Sequence, residues 1–410
     1  MTGSVIDRDA GSPARLRVLI AHNAYQLRGG EDSVVEAETA LLRQQGHEVD
    51  LWIRHNNDVS GMSRLNVARQ TLWSTETVST LRDRIARFQP DVIHVHNTLP
   101  LISPSVFWAA AGEGVPVVQT LHNFRLLCPQ ATFLREGRVC EDCLGRLLPW
   151  PAVQHRCYRE SAVQTAAVAT MVTLHKGLGT WRHKVTRYIA LNEFCRGKFI
   201  AGGLPADRID VKPNFVDQLA PPDWSGRHGG VYVGRLSVEK GVATLIEAMR
   251  AHPTHRVEVI GSGPLEADLK AVAGDAWLGA QPLSEVLARL SRAAYLVLPS
   301  ACYEGFPRTL VEAYACGVPV IASRHGSLQE LVHEGRTGLL FEPGNAAALA
   351  ECIRWAQSNP QAMLEMGKAA RAEYEALYTP ERNVTQLEGI YRRAMADLRG
   401  ARLHGRPNVQ

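Results

Sequence analysis

Two successive series of short apolar runs, each followed by a turn and an amphipathic stretch, limit what this chain can fold into more than any other feature. In the first half the runs are residues 17–22 (RVLIAH), 48–53, 91–96 (DVIHVH) and 116–121 (PVVQTL), with a helical pattern over 32–44 after the first. In the second half they are residues 230–233, 256–260, 276–278, 295–298 and 319–322. Strands joined through helices pair in parallel, and a parallel sheet needs cover on both faces. The Pro- and Gly-rich stretch 218–230 (QLAPPDWSGRHGG) separates the two series and reads as a linker. A chain of 410 residues is too long for one ordinary core and suits two.

The expected fold class is therefore α/β, with two Rossmann-like parallel-sheet domains over 16–217 and 231–380. A flexible N-terminus is expected over 1–15 and a mobile tail over 401–410. After Glu342 the pattern turns purely helical: Asn345 is a good N-cap, and Pro360 and Pro380 suit first helical positions. The last helix, 381–400, is expected to end near Arg399 and to pack back on the first domain.

Composition excludes several classes. The 45 Lys plus Arg against 41 Asp plus Glu leave a net charge of +4, too weak an excess to argue for nucleic acid. Residues 1–14 lack the apolar core of a secretory signal. The longest apolar run, 162–174, is broken by Gln164 and Thr165 and falls short of the roughly 20 residues a membrane span needs. A cytoplasmic protein without a transmembrane helix is expected, its eight cysteines serving as thiols or metal ligands rather than as a disulfide framework.

The chemistry concentrates in the second half. Residues 231–241 (VYVGRLSVEKG) deliver Arg235 and Lys240 from a strand end toward a helix start. A planar fork beside a point charge suits a diphosphate, although solvated surface charge is the plainer reading of either residue alone. In 260–265 (IGSGPL), Gly261 and Gly263 form a strand-to-helix turn that either lets backbone N–H groups approach an anion or merely ends a strand tightly. The segment 300–319 (SACYEGFPRTLVEAYACGVP) says most. Glu304 lies beside the N–H groups of Gly305 and Phe306 and can accept from sugar hydroxyls. Glu312, eight positions later and about two turns along the helix opened there, falls on nearly the same face and can accept from a ribose.

The order and spacing of Arg28-Gly29-Gly30-Glu31-Asp32, of His122 within TLHN, of Pro213-Asn214, of Arg235 with Lys240, and of the E-x7-E pair Glu304 and Glu312 resemble the family 4 retaining glycosyltransferases (glycosyl transferase group 1) over nearly the whole chain. The resemblance implies the GT-B architecture, two Rossmann-like domains facing a cleft. It implies that Arg235 and Lys240 grip the donor diphosphate, Glu304 the sugar ring and Glu312 the ribose, with His122 reaching the sugar from the other domain. Gly29 and Gly30 would admit the diphosphate across the cleft, Leu278 and Gly279 would lie near the base, and Asn214 joins the donor-binding set. Two departures stand out: the acidic position closing the glycine loop is Asp32 rather than Glu, and Pro307 stands where small residues are common.

The implied activity is transfer, with retention, of a hexosyl-type sugar from a nucleoside-diphosphate sugar to a saccharide or lipid-linked saccharide, in envelope or exopolysaccharide biosynthesis. The work is electrostatic stabilisation of the departing diphosphate. No D-x-D carboxylate pair accompanies these motifs, so metal-independent catalysis that requires no cofactor is expected. A nucleotide-sugar epimerase of the same architecture is the enzymatic alternative, disfavoured by the E-x7-E arrangement with Arg235 and Lys240. A nonenzymatic sugar-nucleotide-binding regulatory subunit is the other, disfavoured by the intact donor ligands.

Two features lie outside these motifs. Cys128, Cys140, Cys143 and Cys157 (C-x11-C-x2-C-x13-C) sit in an otherwise strandless insertion, 127–158. They can close a tetrahedral structural zinc site, with His155 as a substitute ligand, or remain free thiols; a redox C-x-x-C fits less well because it does not open a helix after a strand. The basic stretch 176–187 (KGLGTWRHKVTR), with Trp181, suits either peripheral contact with an anionic membrane, at the inner face of the cytoplasmic membrane, or a solvated helix face over core. His94 and His96 alternate along a strand and read as core or loop residues.

Overall fold

A computed structural model describes residues 15–217, 219–252 and 257–403. The expected flexible terminus lies outside this range except for residue 15, as do Gln218 of the linker and Arg256 of the strand expected over 256–260. The first domain carries β1 (Arg17–Ala24), β2 (Glu48–His55), β3 (Val92–Val95), β4 (Val117–Thr120), the short β5 (Leu134–Arg135) and β6 (Arg138–Val139), β7 (Arg187–Ala190) and β8 (Ile209–Val211). The second carries β9 (Gly230–Val233), β10 (Val257–Ile260), β11 (Trp277–Gly279), β12 (Tyr295–Leu298), β13 (Val320–Ser323) and β14 (Gly338–Phe341). Two six-stranded sheets result, ordered β2-β1-β3-β4-β7-β8 and β11-β10-β9-β12-β13-β14, and every pairing within them is parallel.

Three strands of these sheets have no counterpart among the sequence expectations: β7, β8 and β14. Each is three or four residues long, as several expected strands are, but β7 opens on Arg187 and Asp210 interrupts β8, which leaves little apolar run to read there. The insertion is not strandless either, because β5 and β6 form a small antiparallel hairpin.

The last helix, Pro380–Leu403, belongs by packing to the first domain. Its Val384, Leu387, Ile390, Tyr391 and Ala394 are buried with Val18, Ile20, Val92 and Val118 of the first sheet. Each of the buried Val, Leu and Ile side chains contributes about 1.5–3 kcal/mol. The helix runs four residues past the expected end at Arg399, so residues 401–403 of the supposed tail are helical. Gly400 does not stop it because Ala401 favours the helix and Arg402 donates to the Gly114 carbonyl at 2.8 Å. Residues 404–410 lie outside the described range.

Trp181 is a core residue rather than a surface one. It packs among buried side chains of the first domain, with ring contacts to Phe107 and His175. The basic residues around it, Lys176, Arg182 and Lys184, are left without the aromatic anchor that the membrane reading gave them.

Candidate active site

In the second sheet the strand order, counted along the domain, is 3-2-1-4-5-6. The winding direction reverses between β9 and β12, and in an open sheet of this kind the ligand crevice lies outside the carboxyl ends of the strands at that reversal. Lys240 follows β9 and Glu304 follows β12. Gly241 makes their approach possible: its φ is +69°, and a Cβ there would stand 1.7 Å from the Pro299 carbonyl oxygen. Backbone N–H groups of Ala301 and Cys302 donate to the Glu239 carbonyl and stitch the loops together.

Lys240 Nζ lies 2.8 and 2.9 Å from the two oxygens of Glu304, and the Ser300 hydroxyl donates to Glu304 Oε1 at 2.6 Å. Burial alone would raise the Glu304 carboxyl, but the Lys240 charge and the hydrogen bonds from Lys240 and Ser300 more than reverse this and hold it below the usual carboxylate range. Burial likewise works against the Lys240 ammonium, and Glu304 outweighs it. Arg235 is different: its side chain is 64% exposed and meets Glu239 only at 4.0 Å, so it is free to swing onto an incoming anion.

Glu312 is buried on the helix Arg308–Ala315 and accepts from Arg308 Nε at 3.1 Å. Burial raises its carboxyl, partly offset by Arg308. The two-turn argument relating Glu304 to Glu312 fails, because the helix opens only at Arg308. Pro307, at the N-cap, has an extended backbone (ψ 114°), so Glu304 and Gly305 belong to the loop. The Phe306 side chain is buried against Tyr378, which leaves only its backbone for a donor. Gly261 and Gly263 are explained by the protein itself. Cβ atoms there would stand 1.9 Å from the Gly234 oxygen and 2.5 Å from the Leu236 oxygen, and the Gly261 N–H already donates to Gly279. Leu278 and Gly279 end β11 beside that turn.

Across the cleft, Gly29 is the N-cap and Gly30 the first residue of the helix Gly30–Gln44, which starts two residues earlier than expected. Asp32 accepts from the Gly29 N–H at 2.7 Å and meets His22 Nε2 at 2.8 Å, so it shapes the loop rather than facing a ligand. A Cβ on Gly30 would meet nothing within 4 Å, and one on Gly29 only the Asp32 carboxylate at 3.8 Å. Nothing in the fold itself demands glycine there. Glu31 accepts from Asn123 at 2.8 Å and from the Tyr25 hydroxyl at 3.0 Å.

His122 follows β4, half-buried. Its Nε2 pairs with His96 Nδ1 at 2.8 Å. Burial, with the charges of His22 and Lys212, outweighs the pull of Glu38 and Asp32 and pushes its pKa down to about 3, so the ring is neutral near pH 7. Below it lie His94, His96 and Glu38, the three metal-ligand-type side chains whose ligand atoms converge within 4.8 Å among the described residues. A cation already serves that carboxylate: Lys212 Nζ, wholly buried, is 2.6 Å from Glu38 Oε1. Asn214, two residues beyond, is buried, and its Oδ1 has no hydrogen-bond partner.

The two halves meet at Gly305. A Cβ on this residue would stand 2.5 Å from the His122 carbonyl oxygen, and its own carbonyl accepts from Asn192 Nδ2 at 2.6 Å. Glu330 caps the N–H groups of Glu193 and Phe194 from the second domain at 2.9 and 2.6 Å. His122 and the Glu304 loop thus share one cleft wall. Sequence reasoning missed Ser300, Asn123, His96, Glu38 and Lys212 as parts of this arrangement. Ser300 and Asn123 stood inside quoted motifs, whereas no local signal marked Glu38.

The family model for Glycosyl transferases group 1 matches residues 230–373, and that for Glycosyltransferase Family 4 matches residues 28–218. The chain belongs to the family 4 glycosyltransferases. Among curated relatives of this family, it is 30% identical to the amylovoran biosynthesis glycosyltransferase AmsK of Erwinia amylovora over 226 residues, 50% of this chain and 56% of that one. A glycogen synthase of Mycobacterium tuberculosis is 33% identical over 183 residues, 42% of this chain and 43% of that one. The chain therefore matches about half the length of these relatives. With the 2-deoxystreptamine glucosyltransferase of Streptomyces kanamyceticus it shares 26% identity over 78% of this chain and 80% of that one. The fold is that of sucrose-phosphate synthase from Thermosynechococcus elongatus (TM-score 0.70, 22% identity, 93% of this chain and 100% of that one). It is also that of Anabaena Alr3699/HepE solved with UDP-glucose (TM-score 0.62, 18% identity, 94% and 100%). Both domains are GT-B domains.

Proposed function

We propose that this chain transfers a hexosyl group, with retention, from a nucleoside-diphosphate sugar to a saccharide or lipid-linked saccharide in polysaccharide biosynthesis. The observation that carries the reading is the close approach of Gly305 to the His122 carbonyl, which brings His122 of one domain beside the Glu304 loop of the other. The relatives named above, and the neighbour bound to UDP-glucose, support the donor class.

In this reading Arg235 meets the diphosphate first, being exposed and unpaired at short range. Lys240 then exchanges one acidic partner, Glu304, for the incoming phosphate, which frees Glu304 to accept from sugar hydroxyls. Positive charge near the leaving oxygens lowers the barrier as the glycosidic bond to phosphate lengthens. The acceptor attacks from the same face while the leaving phosphate oxygen takes its proton, and the configuration is kept. In this reading Arg235 and Lys240 carry the diphosphate charge without a metal, while Glu312 stays paired with Arg308. The acceptor enters from the first domain, beside a cavity lined by Glu31, Asn97, His122, Asn123 and Arg125.

No helix among the described residues is long and apolar enough to cross a membrane. For a lipid-linked acceptor the face that meets the bilayer carries the exposed Leu147, Leu148, Trp150, Leu174 and Leu178, beside Arg146 and Lys176, in place of Trp181. The test is incubation of purified protein with UDP-, GDP- and ADP-sugars and candidate acceptors, following diphosphate release and the anomeric configuration of the product by proton NMR. Transfer with retention supports the reading. Donor rearrangement without an acceptor, or no turnover with any donor, contradicts it.

A further inference from the structure

The backbone around residues 127–158 is more strained than its own regular structure can hold. Among the described residues eight non-glycine residues have positive φ, and six of them lie here or just beyond: Ala131, Phe133, Glu136, Arg156, Arg159 and Glu160. Each costs on the order of 1–3 kcal/mol and persists only where its surroundings over-determine it. The segment offers the two-residue strands β5 and β6 and the five-residue helix Trp150–Gln154. So little structure calls for a cross-link.

Cys128, Cys140, Cys143 and Cys157 line a single small cavity together with Leu134 and Ala152. Between the central pair stands Glu141. Its Oε1 accepts from the Tyr303 hydroxyl at 2.9 Å and from Lys198 Nζ at 2.5 Å, and that ammonium lies 5.3 Å from the centre of the Tyr303 ring. Tyr303 immediately precedes Glu304.

We propose that the four thiols bind one Zn²⁺, and that the metal fixes the Cys140–Cys143 turn so that Glu141 latches the Tyr303 loop of the second domain. Tetrahedral zinc with sulfur at about 2.3 Å sets the sulfurs about 3.8 Å apart. No three of them stand within 4.8 Å of one another in the metal-free arrangement, so binding turns the side chains into the cavity, and each thiol that becomes a ligand releases its proton to solvent. The metal would bridge β6, the Cys140–Cys143 turn, the end of the Trp150–Gln154 helix and the stretch after Phe124, and hold the strained loops between them.

The test is elemental analysis of protein purified under reducing conditions without chelator, paired with hydrogen exchange. About one zinc per chain is expected in the wild type and in Cys352→Ser and Glu141→Gln, with loss in Cys143→Ser. So that the test does not hang on the folding of Cys143→Ser, the chelator-stripped wild type is also titrated with Co²⁺, which should give the visible d–d bands of a tetrahedral thiolate site. Removing zinc should speed amide exchange within 127–158 and also at 300–303, and Glu141→Gln should speed only the latter. Metal-free wild type that gives no cobalt bands, or zinc retained in Cys143→Ser, overturns the site. Faster exchange confined to 127–158 on zinc removal overturns the latch. Neither readout depends on the transferase reading.

Discussion

Gly305→Ala isolates the contact on which the sugar site depends. The residue is not in the positive-φ region, so alanine costs it no backbone strain, and at a site with room the change would stabilise by about 0.4–1 kcal/mol. There is no room here: the new Cβ would lie 2.5 Å from the His122 carbonyl oxygen, and both partners are backbone. Restoring an ordinary contact near 3.4 Å moves the Glu304 loop or the His122 loop by about 0.9 Å. A misplacement of about 1 Å in a reacting site costs on the order of 10²-fold in rate, or about 2.7 kcal/mol of barrier. The assay is kcat/KM for transfer, beside calorimetric titration with the free nucleoside diphosphate. A fall of about 100-fold with nucleotide affinity unchanged is expected if, as proposed, Glu304 meets the sugar and Glu312 the ribose. Activity within twofold of wild type, or affinity lost in step with activity, would refute the argument.

Glu304→Gln should mainly lower turnover, on the order of 10²-fold, and Glu312→Gln should weaken nucleoside-diphosphate binding as well; the reverse pattern in calorimetry would exchange their roles. His94 and His96 are wholly buried and held well below the ordinary histidine value, first by burial and then by neighbouring positive charge. The unfolded chain therefore binds their protons first as pH falls. Stability should drop from about pH 6.5 downward at up to about 1.4 kcal/mol per pH unit for each proton, with a shallower slope for His96→Asn in denaturant melts across pH. A slope in His96→Asn equal to wild type would exclude this origin. Trp150→Ala should weaken sedimentation with anionic vesicles while leaving the melting temperature near wild type, whereas Trp181→Ala should cost about 3–5 kcal/mol of stability. The opposite assignment would restore Trp181 as the membrane anchor.

Runs such as RVLIAH in the first half and YLVL (295–298) in the second made both sheets legible, because a strand buried on two faces writes its apolar residues consecutively. β7, β8 and β14 were not legible: β7 opens on Arg187 and Asp210 interrupts β8, and the sheet supplies the partners that make all three strands. Arg235, Lys240, Glu304 and Glu312 were legible as motif members. Their pairings were not, since the Lys240–Glu304 contact spans 64 positions and is set by Gly241 lying against Pro299. Pro307 was the signal that should have separated Glu304 from the helix of Glu312, because the residue before a proline is driven out of the helical region. The Gly261 and Gly263 turn read equally as an anion cradle or a tight turn, and the crowding at their missing Cβ atoms favours the turn. Trp181 could not be placed from its basic neighbours: an aromatic residue in a charged stretch points inward or outward according to what packs behind it.

The claim that the crevice between β9 and β12 is a diphosphate site is tested most directly by calorimetric titration of UDP, GDP and ADP into wild type, Arg235→Ala and Lys240→Ala. One diphosphate should bind the wild type, and each substitution should weaken it by at least about tenfold, or 1.4 kcal/mol, since each removes a cation from the phosphates. Undiminished binding in both variants, or no binding of any diphosphate to the wild type, would contradict the assignment.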